Sequence, residues 1–319
     1  MAVSVGQVQA LATKGIDGMV RDSIFEDNSY LKRLKAQQGK WAGNQMSFPF
    51  NYYNSSQTNG KFYTGAEALS LDQYDPITEL VFDLKEVEET LVISSRDVAL
   101  VSGKQAAVNL VEARLKGIKQ AIAERMTNGI YSDGTASTGE LTTAQFVGQK
   151  AFLLSSGVNY GGLLSSDVST HVAYVNSNSG APRSITTALH QDVVGGASVG
   201  EEKPSLAIMR QGVMNNFIEL LKPHQRTTRD SNLNGLGHDG NTLVYSGIDH
   251  IVDELCIANS IVFLNEKYVR LYVHPEWDMK HVAKDSLETM DATMNRLFWK
   301  GAYICSALRY QGKLADITG

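Results

Sequence analysis

Two short runs carry spacings that could do chemistry. Gly196-Ala197-Ser198-Val199-Gly200 fits G-x-S-x-G, the turn that presents a serine nucleophile for acyl transfer. Gly235-Leu236-Gly237-His238-Asp239-Gly240 fits G-x-G-x-x-G, which lets a backbone approach a pyrophosphate. Each pattern needs its context. The serine turn needs a strand before it and a helix after it. Here a helical stretch precedes Ser198 and Pro204 follows, so the run reads as a linker. The glycine turn needs a strand before it and a helix N-terminus after it. Here a polar loop precedes it and the strand-like Leu243–Tyr245 follows. A soluble α/β enzyme using Ser198 or the Gly235–Gly240 loop stays as the alternative from a different class.

Other chemistry lacks its residues. The seven histidines include no H-E-x-x-H pair, and Cys256 and Cys305 are too few for a cysteine zinc cluster or a disulfide framework. No Gly-Lys pair continues into Ser or Thr as a phosphate loop requires. Asp249-His250 and Asp253-Glu254 read as solvated surface charge. No catalytic, cofactor or metal site is therefore expected, and both cysteines are expected to stay reduced. The net charge of −5 over 319 residues argues against a surface that grips nucleic-acid phosphates throughout. No apolar run reaches the roughly 18 residues that would cross a bilayer, so no membrane partner is expected.

The elements that would position any site are unusually long. A mixed arm opens the chain, with a short helix within Arg21–Gln37. Residues 46–76 alternate apolar and polar around Asn59-Gly60, the signal of a hairpin. Six aromatics sit there: Phe48, Phe50, Tyr52, Tyr53, Phe62 and Tyr63. Residues 77–93 read as one strand and residues 95–131 as one amphipathic helix, about 55 Å long at 1.5 Å per residue. A second, more compact lobe follows. Its expected elements are helices at Val168–Val175, Thr186–Val194 and Gly212–Leu221, and strands at Ser205–Arg210, Leu243–Val252 and Ile261–Leu264. Lys222–Gly240 reads as a polar loop, and a last strand runs across Arg296–Arg309.

Charge is segregated along the long elements. Residues 67–94 carry eight acids, Glu86, Glu88 and Glu89 among them, against Lys85 alone. Residues 95–131 carry six bases, including Arg114 and Lys119, against three acids. An acidic limb and a basic rod pair either within the chain or between copies, and between copies they set register more than affinity. The expected contact set between copies is Phe48, Phe50, Tyr52, Tyr53, Lys61, Phe62, Tyr63, Glu86, Glu88, Glu89, Arg114 and Lys119.

This order of elements resembles the major capsid protein of tailed bacteriophages, the Hong Kong 97-type fold. The resemblance rests on SRDVALVSGKQAAVNLVEARLKGIKQAIAERMTNGIYSDGT (95–135), NYGGLLSSDVSTHVAYVNS (159–177), FIELLKPHQR (217–226) with LVYSGIDHIVDE (243–254), and the closing stretches VFLNEKYVRLYVHPEW (262–277) and RLFWKGAYICSALRYQGKLADI (296–317). It implies an α+β chain with an N-terminal arm (1–43), an extended loop (44–71), a peripheral domain (72–135 and 256–319) with its spine helix at 95–131, and an axial domain (136–255). It further implies self-assembly into pentamers and hexamers of an icosahedral shell around double-stranded DNA, held without sequence-specific binding. A separate scaffolding protein, a portal and a decoration protein are implied partners. The implied location is the virion capsid, assembled in the host bacterial cytoplasm. An encapsulin-type nanocompartment shell is the alternative within the same fold.

Overall fold

Asn28 opens the first helix by accepting the backbone N–H groups of Tyr30 (2.8 Å) and Leu31 (3.1 Å), which the helix itself leaves unpaired. That helix, α1 (Ser29–Ala36), buries Tyr30, Leu31 and Leu34 and carries Arg33 and Lys35 in its last turn, where the helix dipole favours cations. The computed structural model describes residues 28–43, 45–51, 62–65, 77–94, 104–134, 145–221, 242–284 and 292–318. The expected Asn59-Gly60 turn and the Gly235–Gly240 loop lie outside these residues.

The run 77–93 is two strands. β3 (Ile77–Asp83) and β4 (Lys85–Ser94) part at Leu84 and join different sheets. β3 pairs with β2 (Gln45–Asn51), from Gln45↔Asp83 to Asn51↔Ile77. The hairpin expected inside 46–76 is therefore a ribbon of 45–51 against 77–83, and Phe62–Gly65 are not in a strand. The ribbon closes an excursion over residues 52–76.

β4 joins a five-stranded sheet centred on β14 (Ala292–Cys305). β4 lines one side of β14, from Ala292↔Ser94 to Gly301↔Lys85. On the other side lie β12 (Val269–Val273) and β13 (Lys280–Lys284), and β1 (Gly39–Lys40) adds in parallel to β12. The final strand thus starts and ends earlier than expected. It passes through a 3₁₀ turn at Leu308–Tyr310 into β15 (Gly312–Leu314). The long helix, α2, is described over Lys104–Tyr131; residues 95–103 lie outside the described set. Its Ile122, Met126 and Ile130 share a core with Leu297 and Trp299 of β14. A four-residue helix, α3 (Gln149–Phe152), adds Phe152 to it.

The small hairpin of β5 (Asn159–Tyr160) and β6 (Leu163–Leu164) supports the ribbon. The Val81 N–H donates to the Gly161 carbonyl at 2.9 Å, and Tyr160 and Phe82 pack with centroids 5.0 Å apart. Gly161 has φ +63°, and a Cβ there would lie 2.9 Å from Phe82 Cζ and 3.1 Å from Leu80 Cβ. Only glycine allows both that conformation and that approach.

The second sheet runs β7 (Tyr174–Asn176), β15, β11 (Ile261–Leu264), β8 (Leu206–Met209), β10 (Ile248–Val252), β9 (Thr242–Tyr245). All four residues of β8 and of β11 are buried, as expected of strands covered on both faces. One face packs on α4 (Thr187–Ala197) and α5 (Gln211–Leu221) through Val193, Val213 and Phe217. The other face, with Leu206, Ile208, Val262 and Leu264, belongs to the core of the first sheet. Two expectations change here. The helix expected at 168–175 is a turn leading into β7. The run 243–252 is a tight hairpin turning at Ser246 (φ 56°) and Gly247 (φ 75°), the backbone that two-residue hairpins favour. The sheet also takes β11 and β15 from the segment assigned to the peripheral domain, because their apolar side chains complete its middle and flank.

Candidate interface residues

The two phenylalanines of the ribbon find partners within the chain. Phe48 packs 5.4 Å from Tyr272 and 6.2 Å from Phe82, and Phe50 meets His171 edge-on at 5.1 Å. Both anchor the foot of the excursion to its own body. Phe62 is 106% exposed and Tyr63 62%, so these rings lack cover in the isolated chain. Tyr52, Tyr53 and Lys61 lie outside the described residues.

The three glutamates of β4 divide between two faces, because strand side chains alternate. Glu89 points toward α2, and Arg125 Nε lies 3.4 Å from its carboxylate. Arg114 donates to the Val92 carbonyl at 3.2 Å. The acidic limb and the basic rod thus meet inside one chain at these two positions. Lys119 lies in α2; its side chain is outside the described set. Glu86 and Glu88 emerge on the opposite face of the sheet. Glu86 bonds to Lys300 Nζ at 2.6 Å. Glu88 is exposed and has no ion pair among the described residues.

That outward face holds residues the sequence reading missed. A loop between β12 and β13 carries Trp277. The loop is held to β14 by His274 N–H donating to Lys300 O (3.0 Å) and Lys300 N–H donating to Trp277 O (3.2 Å). The ammonium groups of Lys280 and Lys300 lie 4.2 and 4.1 Å from the Trp277 ring centre, and Phe298 meets the ring edge-on at 5.9 Å. Ammonium groups over an indole contribute about 0.5–2 kcal/mol and hold the lysines in place. The signal available in sequence was the alternation of Phe298 and Lys300 with buried Leu297 and Trp299. The turn at Pro275 gave no sign of where Trp277 would sit.

The motif residues serve the fold. Ser198 follows a helix and donates its hydroxyl proton to the Val194 carbonyl at 2.6 Å, so the strand-turn-helix of a serine nucleophile is absent at this position. His250 is wholly buried, which corrects its assignment to surface charge, and its ring lies against His190. Asp249 does form a surface ion pair, with Arg33 at 2.5 Å. Asp253 is buried and accepts hydrogen bonds from Tyr131 Oη (2.7 Å) and Asn28 Nδ2 (3.0 Å). Among the described residues no cluster of three His, Cys, Asp or Glu side chains is placed to hold a metal. No described helix is long and apolar enough to cross a membrane.

No protein-family model matches this chain, and no curated protein matches it by sequence. Solved structures do. The capsid asymmetric unit of cyanophage A-1(L) superposes with a TM-score of 0.70 at 12% identity, covering 91% of this chain and 93% of the phage chain. The capsid of an empty GTA particle gives a TM-score of 0.58 at 12% identity, covering 90% of each chain. The holo-SrpI encapsulin complex of Synechococcus elongatus gives 0.55 at 10% identity, covering 88% of this chain and 85% of that one. The chain has the α+β Hong Kong 97-type capsid fold, and its structural neighbours are shell proteins.

Proposed function

We propose that this chain is the major capsid subunit of a tailed bacteriophage, assembling as pentamers and hexamers around double-stranded DNA. One observation carries the reading. The chain matches a cyanophage capsid subunit over nearly the full length of both, and it bears an excursion with two uncovered aromatic rings. Phe62 and Tyr63 find their apolar partner on a sister copy. A contiguous exposed apolar patch marks a surface that another chain covers, and Phe62 and Tyr63 are neighbouring uncovered rings. Contacts between unlike patches of identical subunits close into rings, and many such contacts make a shell cooperative.

In this reading residues 1–43 are the arm, 44–71 the extended loop, 72–135 and 256–319 the peripheral domain, and 136–255 the axial domain, with β11 and β15 lent to the axial sheet. A separate scaffolding protein, a portal and a decoration protein are the proposed partners, and the virion is the location. The protein acts as architecture and catalyses no reaction. The similarity to an encapsulin favours a second reading, a nanocompartment shell enclosing protein cargo.

Negative-stain electron microscopy of the purified protein is the direct test. Closed shells are expected. A protein that stays monomeric at high concentration contradicts the proposal. Nucleic acid within shells from infected cells supports the phage reading, and shells filled with protein support the compartment.

A further inference from the structure

We propose that the sheet face turned away from α2 is a head-to-tail contact between copies of this chain, in which the β4 edge of one copy meets the β13 edge of the next. This rests on the shell-subunit reading and names the surface by which neighbouring sheets meet.

The strand register sets the argument. Glu88 of β4 is the cross-strand partner of Phe298 in β14, and Phe298 is the partner of Lys280 in β13. Cross-strand partners project on the same face, so Glu88, Phe298 and Lys280 form one row. One row further, Glu86 stands beside Lys300. The face thus carries two carboxylates on its β4 edge and the Lys280 ammonium on its β13 edge, with Glu276 and Asp278 in the loop that leads into β13. Strands lie about 4.8 Å apart, so the edge charges sit roughly 10 Å from one another with Phe298 between them. Within one chain Glu88 has no ion pair among the described residues, while Lys280 is held over Trp277. Val92 at 43% and Val282 at 40% exposure add apolar surface to the same two edges.

Opposite charges on opposite edges of one sheet cannot neutralise each other, but they match the next copy set side by side. Such a contact is heterologous, and it closes into a ring when the rotation allows. A carboxylate against an ammonium at such a rim chiefly fixes register and rejects wrong neighbours. Among the described residues the outer edge of β13 has no strand partner, and a lysine on such an edge blocks promiscuous strand addition, which keeps the contact between side chains.

The test is a charge swap in the full-length protein. Glu88→Lys and Lys280→Glu each place like charges at the contact, and each is expected to lower shell yield about tenfold at moderate salt. The double variant E88K/K280E restores opposite charges in every contact and is expected to recover yield to near wild type. Thermal melting of unassembled E88K is expected to stay unchanged, since Glu88 is exposed without an ion pair among the described residues. K280E also loses its place over Trp277 and is expected to melt slightly lower, so recovery of shell yield in the double variant is the readout that a folding defect would not give. Single variants that assemble like wild type overturn the inference, as does a double variant no better than the worse single. In both cases wild-type shells leave the shell-subunit reading intact. Wild-type protein that forms no shell under any condition overturns that reading, and this contact with it.

Discussion

His190 Nε2 lies 2.9 Å from His250 Nε2 inside the second core, between Phe217 and Phe263. His250 Nδ1 faces the carbonyls of Ile248 (2.9 Å) and Leu243 (3.2 Å), so it carries the proton. His250 Nε2 is then the acceptor and His190 Nε2–H the donor, and both rings are neutral. A third proton would go to His190 Nδ1, which is buried without a hydrogen-bond partner, so the charge would sit unpaired in an apolar core.

Acid should therefore weaken this lobe. Burial holds His250 down at about 4, and burial together with the neighbouring His250 holds His190 at about 3. The unfolded chain binds these protons near pH 6.5. Stability is complete above that value, declines as pH falls toward 4, and levels off once the folded rings protonate. For His250 alone the loss is on the order of 3 kcal/mol. Urea unfolding of the unassembled subunit at pH 7.5, 5.5 and 4.5 measures it, and His250→Leu should flatten the acid limb. An unchanged midpoint across that range contradicts the neutral pair.

Gly161→Ala should loosen the foot of the excursion. The added methyl meets Phe82 and Leu80 and sits at a left-handed φ, a combination that costs roughly 1–3 kcal/mol. Differential scanning fluorimetry reads the loss of stability. Hydrogen exchange should rise at Val81, whose amide bonds to the Gly161 carbonyl. Wild-type exchange at Val81 in the variant would argue against this coupling.

Deleting Tyr53–Lys61 should leave subunits that fold and stay soluble but do not close shells. Among the described residues the ribbon pairs 45–51 with 77–83, outside the deleted stretch, so this ladder survives the deletion. Size-exclusion chromatography with electron microscopy separates the outcomes, and normal shells from the deletion would remove the excursion from assembly.

Both cysteines should be unreactive in the native state. Burial pushes the Cys305 thiol up to about 12 and the Cys256 thiol higher still, so neither supplies thiolate at neutral pH. Titration with a thiol-reactive chromophore should detect them only after denaturation. Prompt labelling of the folded subunit would contradict their burial.

The helices and buried strands of the second lobe were legible because each follows from nearby residues. Thr186 caps α4 through Leu189 N, and LAIM and IVFL are short apolar runs flanked by turns. The break at Leu84 was not legible. Alternation continues through it, and only the distant partners of each half, β2 and β14, decide which sheet each joins. The same non-local pairing hid the ribbon, because a turn signal at Asn59-Gly60 does not say which flanking residues pair. Among the interface candidates, the period of two in Glu86, Glu88 and Glu89 already separated one carboxylate from the other two. Trp277 was hidden because its place depends on a loop inserted opposite Lys300.

The Asp253 carboxylate is where three distant stretches are knotted: the first cap of the described chain, the last turn of the long helix, and the end of β10. Asn28 ties the start of α1 to that knot. A change at that carboxylate is thus felt together by α1, α2 and the end of β10, at the seam where the two cores meet. One buried oxygen is the fulcrum on which the joint of the molecule turns.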